Sequence, residues 1–150
     1  MYQVIYSHQF NYRPLPYIGL QGQPCLTSDL PALEVILRHG ASEYADVALI
    51  DTGATFSLFS LQVAEVLGLS IIEGRREQLT TLGGSFTAYA HAVELDIADG
   101  WSLGQVEVLF AERDIPRNLL GRTDFLVRVQ LGLWERAGII YLNSFPKVHF

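Results

Sequence analysis

The segment Ala48-Leu49-Ile50-Asp51-Thr52-Gly53-Ala54 decides how this chain is read. An apolar run ends in a tight polar turn, and that Asp-Thr-Gly turn occurs only once. Val47 to Ile50 is apolar without interruption, the pattern of a strand buried on both faces. Asp51 supplies a carboxylate at the end of a rigid strand. The Thr52 hydroxyl can tie the turn down, and Gly53 permits close approach of its N–H to the carboxylate. Alone, the tripeptide is weak evidence, since a random chain of this length contains it on the order of a few per cent of the time. An ordinary Asx-type turn leaving a strand accounts for it too. The apolar strand before it shifts the balance, because it drives the turn inward and an uncompensated buried carboxylate is expensive.

Outward from this segment the signals are mostly β. Leu33, Val35 and Leu37 alternate with Glu34, Ile36 and Arg38, and His39-Gly40-Ala41-Ser42 reads as a turn. Val93, Leu95 and Ile97 alternate with Glu94 and Asp96. Asp99-Gly100 is a turn and Trp101 to Phe110 continues as strand, so 93–110 reads as a hairpin. Val129 to Leu133 and Gly138 to Leu142 read as another, bent near Glu135-Arg136-Ala137-Gly138. Two short helices interrupt. One covers Leu61 to Leu67, with Ser60 as N-cap and Gly68 as its stop; a second covers Asp124 to Val127. Residues 1–32 differ: Tyr2, Val4 and Tyr6 alternate as in a strand, then Pro14, Pro16, Pro24 and Pro31 favour extended backbone. The organisation expected is an N-terminal extended arm over 1–32, serving as a pro-segment or an interface arm, and one mainly-β domain over 33–150.

Composition narrows the function classes. A chain of 150 residues, 49% hydrophobic and 17% charged, can bury a core without disulfides or metals. No apolar run approaches the roughly 20 residues that span a bilayer. The start lacks a basic region followed by a long apolar one, so no signal peptide is expected. The lone Cys25 forms no internal disulfide and suits a reducing compartment, so a cytoplasmic location is expected. A net charge of -6 argues against nucleic acid, and Arg75-Arg76, flanked by Glu73 and Glu77, reads as a solvated turn. His8, His39, His91 and His149 stand far apart, so neither a metal nor another cofactor is expected. Gly83-Gly84-Ser85-Phe86-Thr87 is not a nucleophile elbow, and no phosphate loop is present.

A second motif raises the value of the first. After Ile115-Pro116-Arg117 comes Asn118-Leu119-Leu120-Gly121-Arg122, an apolar pair followed by Gly-Arg. With Leu49-Ile50-Asp51-Thr52-Gly53-Ala54, the chain resembles the retropepsin family, the retroviral-type aspartic peptidases, and especially their single-domain bacterial relatives. Leu67-Gly68-Leu69 matches the end of the short helix that follows the family's active-site loop. Thr81-Leu82-Gly83-Gly84-Ser85-Phe86 falls where relatives carry a glycine-tipped flap. The resemblance spans roughly residues 33–142.

It implies a closed, retropepsin-like acid-protease half-barrel with one or two short helices, active as a two-fold dimer. Asp51 is then the catalytic residue, Thr52, Gly53 and Ala54 the rest of its loop, and Leu82, Gly83 and Gly84 the flap tip. Leu119, Leu120, Gly121 and Arg122 form the second motif. The implied activity is hydrolysis of peptide bonds in extended substrates by water activated between two Asp51 carboxylates of a homodimer. Leu49, Leu82, Phe86 and Leu120 are candidates to line substrate pockets, though each also fits a core role. The apolar Gly138 to Phe150 segment is a candidate for the dimer sheet, with an internal strand over Ile139 to Leu142 as the alternative. Pepsin-like enzymes usually carry a hydroxyl where Ala54 stands, so a mildly acidic optimum is implied. Two departures matter. Many viral members place an acidic residue at the position of Thr55, paired with the arginine that Arg122 matches; here Arg122 must turn to Asp124, a backbone carbonyl or water. Thr123 intervenes before Asp124-Phe125-Leu126 and shifts the last helix. Two other readings stand beside the peptidase: the same fold as an inactive dimeric peptide-binding or regulatory module, and an unrelated β-domain with a chance turn.

Overall fold

The computed structural model describes residues 5–18, 24–81, 83–97 and 100–144. Strands dominate it. β1 (His8–Asn11), β2 (Arg13–Ile18) and β3 (Pro24–Leu30) precede β4 (Ala32–His39) and β5 (Ser42–Ile50). β6 (Leu58–Phe59) leads into the single α-helix among the described residues, α1 (Leu61–Val66). β7 (Arg75–Thr81), β8 (Gly84–Ile97) and β9 (Trp101–Ala111) follow, then β10 (Asn118–Leu120), β11 (Val129–Trp134) and β12 (Ile139–Ser144). No helix among the described residues is long and apolar enough to cross a membrane.

The main sheet has the order β4-β5-β10-β6-β9-β8-β7, and β4 also pairs with β8, so it closes on itself. Closure follows from alternation. Leu33, Val35 and Leu37 of β4, Val93, Leu95 and Ile97 of β8, and Val106, Val108 and Phe110 of β9 all turn into one core with Ile50, Phe59 and Leu120. Each large apolar side chain so buried contributes roughly 1.5–3 kcal/mol. The opposite faces of β8 and β9 contribute Ala88, Ala90, Leu109 and Ala111 to a second, smaller cluster with Leu58. Phe56, Leu79, Phe86, Ile115 and Leu119 pack against that cluster, which floors the site described below.

Two pairings position the site. β10 runs parallel to β5, with Leu119 beside Leu49 and Leu120 beside Ile50, so the chain leaves both strands at the same level. β8 is long enough to outrun the barrel. Its residues 84–87 pair with β7 alone, and the pairing ends at Thr81 opposite Gly84, which has φ +116°. Glycine tolerates that angle and most residues do not.

The sequence expectations meet several corrections. The first helix ends at Val66 and Gly68 stops it with φ +69°, but the Ser60 hydroxyl makes no cap. Asp114 caps instead: its Oδ1 accepts from Gln62 N at 3.3 Å and from Ser60 Oγ at 2.8 Å. The expected second helix is a 3-10 turn over Leu126–Arg128. Arg75 and Arg76 open strand β7 rather than a turn, and Arg75 pairs with Glu77 and Glu107. Among the described residues strand structure begins at His8, and Tyr2 and Val4 lie outside them. β12 is the middle strand of a three-stranded sheet, β1-β12-β11, so Ile139 to Leu142 is internal; 145–150 lie outside the described residues. Tyr12 binds this sheet to the barrel: it is buried in the main core, its N–H donates to Gly138 O at 2.7 Å, and its hydroxyl donates to Glu135 Oε2 at 2.7 Å.

Candidate active site

Asp51 directly follows β5, with its N–H bonded to Leu120 O at 2.9 Å. One carboxylate oxygen, Oδ1, accepts from Gly53 N at 2.9 Å and Ala54 N at 3.2 Å. A Cβ on Gly53 would stand 3.3 Å from that same oxygen, close enough that the carboxylate would have to shift. The other oxygen, Oδ2, takes no hydrogen bond from the described residues. Thr52 and Gly53 are exposed and Asp51 is half-buried. The fixed oxygen orients the carboxylate while the other stays open for chemistry.

The second motif holds this loop from beneath. Arg122 N donates to Ala54 O at 3.0 Å, and Thr123 offers both its N–H and its hydroxyl to Thr55 O at 2.9 Å. Gly121 N donates to the Ser57 hydroxyl at 2.9 Å. A Cβ on Gly121 would come 2.3 Å from the Phe56 carbonyl carbon, so only glycine lets the two segments meet this closely. Ser57 in turn donates its N–H (2.7 Å) and hydroxyl (2.5 Å) to the two oxygens of Asp124, and both residues are buried. Burial pushes the Asp124 carboxyl above its ordinary value of 3.8, while the Ser57 bonds pull it partly back.

Asp124 is therefore not the partner of Arg122, whose exposed side chain makes no hydrogen bond with the described residues. Ser57 went unnoticed in the sequence. The only available hint was a small hydroxyl residue shortly after the Asp-Thr-Gly turn, which has no periodic signature.

Above the loop lies a cavity of about 720 Å³. Asp51, Gly53, Ala54 and Thr55 form one side, and Leu79, Thr80, Thr81, Gly83 and Phe86 of the β7–β8 hairpin form another. Phe56, Leu58 and Leu119 complete the wall. Of the expected lining residues Phe86 is present. Leu120 is fully buried in the core, Leu49 is absent from the wall, and Leu82 lies outside the described residues. The alternation along β10 explains the exchange: Leu119 and Leu120 point to opposite faces, and the cavity takes Leu119. Gly83 reaches the wall, and Gly84 closes the hairpin.

The sequence model of the aspartyl protease family matches residues 41–123, which is more than half of the chain and includes both motifs. A retropepsin-like aspartic protease from Rickettsia conorii has a similar structure, with TM-score 0.59, 13% identity, and coverage of 89% of this chain and 98% of that one. EIAV protease complexed with the inhibitor HBY-793 is also similar, with 25% identity, TM-score 0.47, and coverage of 62% of this chain and 82% of that one. No curated protein matches the sequence. The motifs, the loop they build and the family match together mean that the chain belongs to the aspartyl protease family, on a retropepsin-like fold.

Proposed function

We propose that the protein is an aspartic endopeptidase of retropepsin type that works as a two-fold homodimer. The observation that carries this reading is Asp51 itself, with one oxygen fixed by Gly53 and Ala54 and the other open at the cavity under the β7–β8 hairpin. One chain offers one such carboxylate, so the reaction needs a second copy. Two carboxylates brought close together hold one proton between them. The unprotonated Asp51 takes a proton from a water, whose oxygen attacks the scissile carbonyl carbon. The protonated Asp51 gives its proton to the carbonyl oxygen. Collapse of the tetrahedral gem-diol breaks the C–N bond: the Asp51 that took the water proton passes it to the leaving nitrogen, the other Asp51 takes a hydroxyl proton, and no acyl-enzyme forms. The exposed Thr52 supports the pairing, since its hydroxyl is available to the loop of a second copy. The hairpin from Arg75 to Ile97, with Gly83 and Gly84 at its turn, acts as the flap that excludes water over an extended peptide.

Residues 1–32 remain an arm of the 33–150 domain in this reading. The pairing of β1 with β12 and the burial of Tyr12 and Leu15 support a role in holding the fold rather than in a removable pro-segment.

A second reading, a dimeric peptide-binding module without hydrolysis, draws on Arg122, which has no acidic partner at Thr55. A peptide-library digest across pH separates the two, with Asp51→Asn as control. The peptidase reading requires cleavage by the wild type and none by the variant, together with a dimer in analytical ultracentrifugation. Equal cleavage by the variant would remove Asp51 from the mechanism, and a strict monomer at high concentration would exclude the paired site.

A further inference from the structure

We propose that Arg113 is a specificity-determining residue, selecting substrates that carry an acidic side chain two residues from the apolar one that fills the cavity. This rests on the peptidase reading above. The cavity wall is apolar through Phe56, Leu58, Leu79, Phe86 and Leu119, and among the described residues Asp51 is the one charged residue in it. An apolar substrate side chain is what such a wall accepts. Behind Phe86 the character changes: the Arg113 guanidinium lies over the Phe86 ring, its carbon 5.0 Å from the ring centre.

That guanidinium is both held and unspent. Its backbone sits between two fixed points. Glu112 N donates to Thr87 O at 3.1 Å on the flap strand, and the Asp114 carboxylate caps α1. Arg113 O accepts from Leu61 N at 3.3 Å. The cation–π contact with Phe86 holds the guanidinium in place and lowers the ordering cost of a new bond. Among the described residues Arg13, Arg38 and Arg75 pair with carboxylates, and Arg113 does not. Its acidic neighbours do not neutralise it by contact: Asp114 is bonded to Ser60 and Gln62, and Glu112 forms no ion pair with it. The side chain is exposed, in a protein of net charge -6. Arg113 does not itself line the cavity, but it covers Phe86, which does, so its positive charge stands next to the apolar wall and favours an anionic group there.

Strand geometry sets the spacing. In an extended peptide, alternate side chains share a face and stand about 6.5–7 Å apart. A side chain two residues from the one touching Phe86 is then displaced by a distance comparable to the 5.0 Å between the guanidinium carbon and that ring's centre. A two-fold dimer supplies one Arg113 on each side of the scissile bond.

The test is a set of peptides in which Glu, Gln and Lys are placed in turn at each position flanking the apolar residues. kcat/KM is measured for wild type, Arg113→Gln, Arg113→Lys and Phe86→Leu, at low and high salt. The expected wild-type result is a preference for Glu over Gln of about two- to fivefold at one spacing, with Lys disfavoured and the preference smaller in salt. Arg113→Gln should bring the Glu-to-Gln ratio to one, and Arg113→Lys and Phe86→Leu should leave it intermediate. Because each variant is compared with itself on two peptides, a partial folding defect does not mimic the result. A wild-type ratio of one at every position, or an unchanged ratio in Arg113→Gln, would overturn the proposal. Should no peptide be cut, the peptidase reading fails, and the same ratio taken from dissociation constants by calorimetry still decides the role of Arg113.

Discussion

The Ser57 hydroxyl and amide close on the two carboxylate oxygens of Asp124 at 2.5 and 2.7 Å, which ties the end of the Asp51 loop to the segment after Gly121. Both residues are buried, so neither can exchange its partner for water. Asp124→Ala strands the Ser57 N–H and O–H and should cost about 2–4 kcal/mol in urea unfolding. Asp124→Asn keeps one acceptor and should cost less, about 1–2 kcal/mol. Equal stability of wild type and alanine variant would mean that the pair holds nothing together.

The same pair predicts a pH dependence with a definite sign. Burial raises the Asp124 carboxyl above 3.8, so the folded state ionises it less readily than the unfolded chain does. The resulting stabilisation is fully present below the unfolded value and is lost as pH rises through the folded one. Wild type should therefore gain most over Asp124→Asn at acidic pH, and the gap should narrow from about pH 4 upward. A gap that widens with pH in the same unfolding experiment would reverse the assignment.

Asp51→Asn should separate chemistry from folding. The amide oxygen of asparagine can accept from Gly53 and Ala54 as Oδ1 does, so stability should stay within about 1 kcal/mol of wild type. Peptide cleavage should fall by at least about a thousandfold. A folded variant that still cuts would leave the reaction without its acid and base.

Gly121→Ala tests the closest contact between the two motifs. The new methyl would stand 2.3 Å from the Phe56 backbone, which can yield only by moving the loop. A loss of about 2–4 kcal/mol is expected. Gly40→Ala meets open space at φ +58° and should cost only about 1 kcal/mol. Equal losses at the two sites would argue against the tight crossing.

Tyr12 offers a spectroscopic check on the N-terminal strands. Its hydroxyl is pushed up to about 12, first by burial and then by its bond to Glu135. Because the folded value lies above the unfolded one, this stabilisation is present below pH 10 and disappears as pH rises through about 12. Absorbance titration of the seven tyrosines should show a late step that Tyr12→Phe removes. Persistence of that step in the variant would assign it elsewhere.

Legibility differed from element to element. Hairpins and strands were readable because alternation and turn residues act over a few positions, as in β4–β5 around Gly40 and in β11–β12 ending at the left-handed Gly138. The cap of α1 was misread because Asp114, far along the chain, outcompetes the nearby Ser60. Of the partners open to Arg122, Asp124 is taken for a similar reason: proximity in sequence says nothing about which group occupies the buried side, and Ser57 reaches it.

By itself the sequence determined a mainly-β domain, the two motifs at Asp51 and Gly121, and a hairpin turning near Gly83 and Gly84. The domain class rests on local backbone preference and short-range periodicity, and the motifs and the hairpin rest on the family resemblance they carry. Only the tertiary structure decided that β5 and β10 lie parallel and in register, so that the two motifs meet. It also decided that Leu119 faces the cavity while Leu120 enters the core, and that Ser57 and Asp124 fasten the loop. Those outcomes depend on closing the barrel around a shared core, a condition on the whole chain that no single segment contains.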